Sequence, residues 1–233
     1  MHGIFSADSH VDLWTLPPDL FTSNSPKEFH DRVPRVVEGP EGPEWKSGNQ
    51  TIMYIPDVGN TQRPKPGLGA QIDRKAATGY YDDGANGHPH PSDPELRMRD
   101  QELDGVDGEV IYGLLSLDRQ IGEPEATWLS YQIYNDWLAD FCQTNPNRFI
   151  GLGCVLNDDP SRACEEFRRV AKKGLKGIEL RVNPDGISLW NPQWDQLWAT
   201  AEDLDLSIAL HLPGIPIPGP SADEVNVKLP KNP

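Results

Sequence analysis

Two side chains near the start of the chain have types and spacing suited to holding a metal ion. In the stretch IFSADSHVD, residues 4–12, Asp8 and His10 stand two apart. Alternation along an extended strand puts both on one side, about 6.6 Å apart along the backbone, where two ligands of one ion could sit. An ordinary turn at a strand end would use the same residues, so the pair alone leaves both readings open. A third donor, His211, follows the apolar run SIAL far along the chain. One carboxylate and two imidazoles converging on one mouth make an N/O site for a divalent ion such as Zn²⁺ or Mn²⁺. Glu179, Arg181 and Asn183 alternate along ELRVN and share a face. His88 and His90 repeat the two-apart spacing in GHPHP, but a Pro/Gly loop gives them no scaffold, and they read as solvated. A single strand-end histidine is more often a hydrogen-bonded rim residue than a ligand. The convergence of Asp8, His10 and His211 therefore carries the metal reading.

Such residues need strands to bring them together, and the sequence supplies them. A first strand begins at Ile4. From Pro94 onward PELRMRDQELDG predicts a short helix ending at Gly105, and EVIYGLL, residues 109–115, a buried strand. Residues 123–145 predict a helix with Ala126, Leu129, Ile133, Trp137 and Phe141 on one stripe at spacings of three and four. A strand over 148–156 follows, then a helix capped by Asp158 or Asp159, with Pro160 in its first turn and Gly174 past its end. Residues 175–182 predict the fourth strand. NPQWDQLWATAEDLD predicts a helix whose apolar face is Trp194, Leu197, Trp198 and Ala201, and residues 206–212 form the fifth strand. Strands alternating with helices imply right-handed crossovers and a parallel sheet. An open doubly wound sheet and a (β/α)₈ barrel both satisfy that pattern. No GxGxxG follows the first strand and no Walker-type GK[ST] occurs, which weighs against the open sheet. In barrels the chemistry sits at the C-terminal strand ends, where Asp8, His10, Glu179, Arg181 and His211 fall.

Between the first strand and Ser92 the texture is different. VEGPEGPEWKSGNQ, QRPKPGLGAQ and YYDDGANGHPHPSDP break both helix and strand periodicity. Trp14, Phe21, Phe29, Trp45, Tyr54, Tyr80 and Tyr81 nevertheless give residues 15–92 anchors for a partly ordered excursion that could act as a lid. The chain has 233 residues, with 36 acidic against 21 basic and a formal net charge of −15. That balance opposes binding to nucleic acid or anionic lipid through bulk electrostatics. Cys142, Cys154 and Cys164 show no CxxC pairing and read as reduced thiols. No signal peptide and no apolar run of about 20 residues is evident, so a cytoplasmic protein is expected.

As a set, SADSHVD, PPDLF, LDGVDGEVIYG, NPNRFIGLGCV, GLKGIELRVNP and SIALHLPG resemble the amidohydrolase-related (amidohydrolase 2) branch of the amidohydrolase superfamily. Aminocarboxymuconate-semialdehyde and resorcylate-type decarboxylases belong to that branch. The resemblance implies a (β/α)₈ barrel with a mononuclear divalent metal, Zn²⁺ first and Mn²⁺ second, held by Asp8, His10 and His211. It implies action on a small aromatic or unsaturated carboxylate, by decarboxylation or hydrolysis, with Arg181 on the substrate carboxylate. The family's late aspartate and its histidine after strand six have no counterpart before Pro233. The expectation is therefore five βα units of a barrel over residues 1–214, truncated, with a long insertion after strand one and an irregular tail over 215–233. The catalytic acid–base group would lie beyond Pro233. A small-molecule carboxylate and a second copy of the chain are the partners expected, and the alternative function is a catalytically inactive truncated barrel or binding remnant lacking the metal-ligand aspartate.

Overall fold

Strand ends decide where the chemistry can sit, and five parallel strands supply them. The computed structural model describes residues 3–40, 42–55, 75–114, 117–181 and 191–211, with Arg181 and His211 described by backbone alone. Among the described residues the strands in chain order are β1 (Phe5–His10), β2 (Arg35–Gly39), β3 (Gly42–Ser47), β4 (Gln50–Tyr54), β5 (Gly108–Tyr112), β6 (Phe149–Cys154), β7 (Gly177–Arg181) and β8 (Ser207–His211). β1, β5, β6, β7 and β8 form one sheet in that order, every pairing parallel. β1 runs from Phe5 opposite Gly108 to His10 opposite Tyr112, with its register shifting between Ser6 and Ser9. The last residues of the five strands are His10, Tyr112, Cys154, Arg181 and His211. They form a row along the C-terminal edge of the sheet.

The helices after Ser92 start and stop where local chemistry dictates. α1 (Leu20–Ser23) and α2 (Tyr80–Ala85) precede them, and α3 spans Pro94–Asp104. Asp93 caps α3 by accepting from the N–H groups of Glu95 and Leu96, and Gly105 ends it at a positive φ that suits glycine. α4 (Leu117–Ile121) and α5 (Pro124–Gln143) follow. In α6 (Pro160–Lys173) Asp159 caps Ser161 and Arg162, and Gly174 closes the helix at φ 98°. α7 (Asp195–Asp203) is entered through a 3₁₀ turn at Pro192–Trp194. The expected stripe on α5 is corrected in part, since Ala126, Ile133 and Phe141 are buried as expected. Trp128, Tyr131, Tyr134 and Leu138 are buried, whereas Leu129 and Trp137 are only partly covered. The buried arc is rotated and widened because β6, α4 and α6 surround the helix. α5 reaches β6 closely because Gly151 has no side chain. A Cβ there would stand 2.9 Å from Cys142 Sγ and Leu138 Cγ. No helix among the described residues is long and apolar enough to cross a membrane.

The stretch 15–92, expected to be irregular, holds an antiparallel three-stranded sheet, β2-β3-β4. Its anchor is the fully buried Trp45, edge-on to Phe21 with ring centroids 6.0 Å apart. Arg32 ties the same region to the start of α5 through two hydrogen bonds to the Glu123 carboxylate. Proline and glycine mask strand periodicity here, and the packing partners lie far away in sequence.

A buried amide fixes the end of β6. Asn135 of α5, fully buried, donates from Nδ2 to the Cys154 carbonyl (2.9 Å) and to Glu166 Oε1 (2.8 Å). Its Oδ1 accepts the Cys154 N–H at 2.7 Å. Replacing Asn135 with Leu strips three hydrogen bonds from buried groups. The expected loss is about 2–4 kcal/mol in urea unfolding, and a loss below about 1 kcal/mol would show the network to be dispensable.

Candidate metal and substrate site

At the end of β1, Asp8 Oδ1 and His10 Nε2 are 3.1 Å apart, with side chains 77% and 37% exposed. Two ligands each about 2.1 Å from one ion and at right angles to it stand about 3.0 Å apart. The contact is a direct hydrogen bond; neighbouring ligands of a single cation take a similar separation, and a carboxylate with an imidazole is a donor set that suits a divalent metal. The His10 ring stacks on Tyr112, with centroids 5.5 Å apart and planes at 28°. Its backbone is held from behind. Arg97 Nη1 donates to the His10 carbonyl (3.1 Å) and to the Pro91 carbonyl (2.6 Å), while Nε and Nη2 grip Glu109 at 2.5 and 3.0 Å. Gln101 Nε2 adds a 2.5 Å bond to the same carboxylate.

Three strands along from β1, Glu179 of β7 is a fully buried carboxylate opposite Cys154. Its Oε2 accepts the Gly113 N–H at 2.9 Å and lies 3.8 Å from Cys154 Sγ. Burial pushes the Tyr112 phenol up, and the negative charges of Glu179 and Asp8 push it further. Burial raises Tyr134 and Cys154 much more, with Glu179 adding to both. The phenols and the thiol around this carboxylate thus stay neutral, which limits the charge gathered in the interior. The sequence had placed Glu179 beside Arg181 and Asn183 without giving it a role. The signal was there: a charged residue inside a buried parallel strand must find partners.

The predicted ligands are not all brought together by what is described. β1 and β8 are opposite edges of the sheet, four strand spacings apart, which is about 19 Å if flat. One ion shared by Asp8, His10 and His211 therefore requires curvature. The register pairs Arg181 with His211, while the side chains of both, and all of Asn183, lie outside the described residues. Among the described residues no three His, Cys, Asp or Glu side chains converge to hold an ion.

A cleft of about 1030 Å³ reaches His10, but from the α3 side. Ser6, Ser9, Tyr80, Arg97, Gln101 and Glu109 are among its lining, whereas Tyr112, Cys154 and Glu179 are not. His90 also faces it, and here the solvated-loop reading is corrected. His88 is exposed as expected, yet His90 is 1% exposed. Its ring nitrogens meet Asp100 Oδ2 at 2.7 Å and Asp83 Oδ2 at 2.9 Å, tying α2 to α3. The bond from His90 holds the Asp83 carboxyl below the usual range. Flanking prolines at 89 and 91 restrict the backbone that inserts this ring.

Comparison with known proteins places these features in a wider group. A sequence model described as Amidohydrolase matches residues 7–233. The 2-amino-3-carboxymuconate-6-semialdehyde decarboxylase of Dictyostelium discoideum is 28% identical over 120 residues, 51% of this chain and 33% of that protein. The gamma-resorcylate decarboxylase of Rhodococcus jostii (strain RHA1) is 36% identical over 87 residues, 33% of this chain and 26% of that protein. The chain thus matches only about a third or less of the length of these curated relatives. Among solved structures, an amidohydrolase from Mycobacterium avium subsp. paratuberculosis K-10 superposes with a TM-score of 0.67 at 20% identity, covering 91% of this chain and 59% of that one. A dihydroxybenzoic acid decarboxylase from Polaromonas sp. JS666, with bound manganese and the inhibitor 2-nitroresorcinol, gives 0.51 at 16% identity, covering 91% and 50%. These likenesses identify the five parallel strands as a curled half-barrel sheet.

Proposed function

The chain belongs to the amidohydrolase family, and from that premise we propose that it serves the metal-dependent decarboxylation of a small aromatic or unsaturated carboxylate. The observation that carries this reading is the Asp8–His10 pair at a strand end, a carboxylate and an imidazole in contact, in a chain for which the two curated relatives described above are decarboxylases. Asp8 and His10 from β1 and His211 from β8 would hold the ion. An ion held there would supply Lewis-acid chemistry, polarising a substrate oxygen and offsetting charge that develops as the carbon–carboxylate bond breaks. Zn²⁺ fits the donor set, and Mn²⁺ is supported by the manganese found in the Polaromonas enzyme. Arg181, beside His211 in register, would clamp the substrate carboxylate through two parallel hydrogen bonds. The described parts of residues 15–92 follow β1 in the chain and would contribute a cover that keeps water from the reacting carbon. No described residue is assigned the proton transfer.

The test is turnover after metal exchange. Chelated protein reloaded with Mn²⁺ or Zn²⁺ is offered hydroxybenzoates and carboxymuconate semialdehydes, and separately amides, esters and lactones. CO₂ released in step with substrate loss, absent before reloading, is the expected result. Hydrolysis without CO₂ would replace decarboxylation with the hydrolytic reading. Stoichiometric metal with neither reaction would favour an inactive barrel.

A further inference from the structure

Glu179 is more than a buried charge, because of what its carboxylate grips. Oε2 accepts the N–H of Gly113, the residue directly after the end of β5. On its other side Gly113 is hemmed in, since a Cβ at this position would collide with the Tyr134 ring. The backbone at Tyr112 and Gly113 is therefore clamped between a carboxylate and an aromatic side chain. Tyr112 in turn carries the ring on which His10 stacks, and its carbonyl accepts the Val11 N–H at 3.1 Å. We propose that Glu179 is a positioning residue: by fixing the end of β5 it sets the Tyr112 ring, and through that ring the orientation of the His10 imidazole. This rests on the reading of His10 as a metal ligand. Groups behind a ligand that orient it are commonly worth 10- to 100-fold in metal affinity.

The experiment compares Glu179→Met, which keeps length and removes the acceptor, with Glu179→Gln, whose amide oxygen can still take the Gly113 N–H. Mn²⁺ binding is read from the electron paramagnetic resonance signal of the free ion, on protein shown to be folded by circular dichroism. Glu179→Met is expected to raise the Kd about 10- to 100-fold, and Glu179→Gln by less than about 5-fold. A merely structural Glu179 would lower the melting temperature and leave the Kd unchanged. In metal-free protein the His10 ring protons, shielded by Tyr112 and assigned with His10→Gln, are expected to shift in Glu179→Met while those of His88 stay in place. A folded Glu179→Met variant with wild-type Kd and unmoved His10 signals overturns the proposal. If the wild type binds neither Mn²⁺ nor Zn²⁺, the ligand reading fails by itself, and the His10 signals still decide the positioning role. Should Glu179→Met not fold, Tyr112→Leu removes the transmitting ring, and a folded Tyr112→Leu variant that keeps the wild-type Mn²⁺ Kd overturns the proposal as well.

Discussion

Replacing His10 with alanine is expected to reduce metal-dependent CO₂ release about 10³-fold and to abolish tight binding of Mn²⁺ or Zn²⁺. The size follows from what the imidazole supplies. A metal ion contributes several kcal/mol of stabilisation to developing charge, and each 1.36 kcal/mol is a factor of ten in rate. With the ring gone, Asp8 keeps a carboxylate but loses the neighbour 3.1 Å away that would complete a chelate. Stability should change little, by about 1 kcal/mol or less, because the His10 side chain is more than a third exposed and its backbone contact to Arg97 survives the substitution. The measurements are therefore metal content by mass spectrometry, CO₂ release, and urea unfolding on the same sample. An H10A protein that keeps one tightly held ion and wild-type turnover would remove β1 from the site.

The largest effect on stability is expected at Arg97. Its guanidinium holds both oxygens of Glu109 and the carbonyls of His10 and Pro91, in a setting where Arg97 and Glu109 are 7% and 5% exposed. Changing Arg97 to Met leaves the Glu109 carboxylate buried with only Gln101 donating to it among the side-chain bonds just described. Breaking one side of a buried pair costs about 3–5 kcal/mol. Removing both charges with Arg97→Met and Glu109→Leu should restore much of that loss, since the isolated charge, more than the missing attraction, sets the cost. Urea midpoints of the two single variants and the double variant check this. Equal losses in Arg97→Met and in the double variant would refute it. Mn²⁺ affinity should stay low in the double variant even where stability returns, because the His10 carbonyl has lost its prop.

Much of this arrangement could be read from the residues, and the exceptions share a cause. The Asp-Pro starts and glycine ends of α3 and α6 are local signals, and the helices begin and stop there. The parallel order of β1, β5, β6, β7 and β8 follows from alternation with helices. β2, β3 and β4 escaped because their identity as strands depends on Trp45 meeting Phe21, a contact that no window of neighbouring residues contains. His90 escaped for the same reason: its carboxylate partners Asp83 and Asp100 lie seven and ten residues away on different helices. At the site, the Asp8–His10 spacing was legible because it is local. The value of Glu179 was not, since its hold on Gly113 spans 66 residues.

The pairing of β1 with β5 carries a kinetic consequence. The Ile4 N–H reaches the Asp107 carboxylate across 103 residues, whereas neighbours such as Leu152 and Gly177, or Gly177 and Ser207, are linked by far shorter segments. Closing the longer loop costs about 1 kcal/mol more in chain entropy, and such distant contacts form late as a protein assembles. The segment bearing Asp8 and His10 is thus the last of the five to join. A cation gripped there would then be expected to arrive after the refolding barrier is crossed, and so to slow unfolding of the finished fold rather than to hasten its formation.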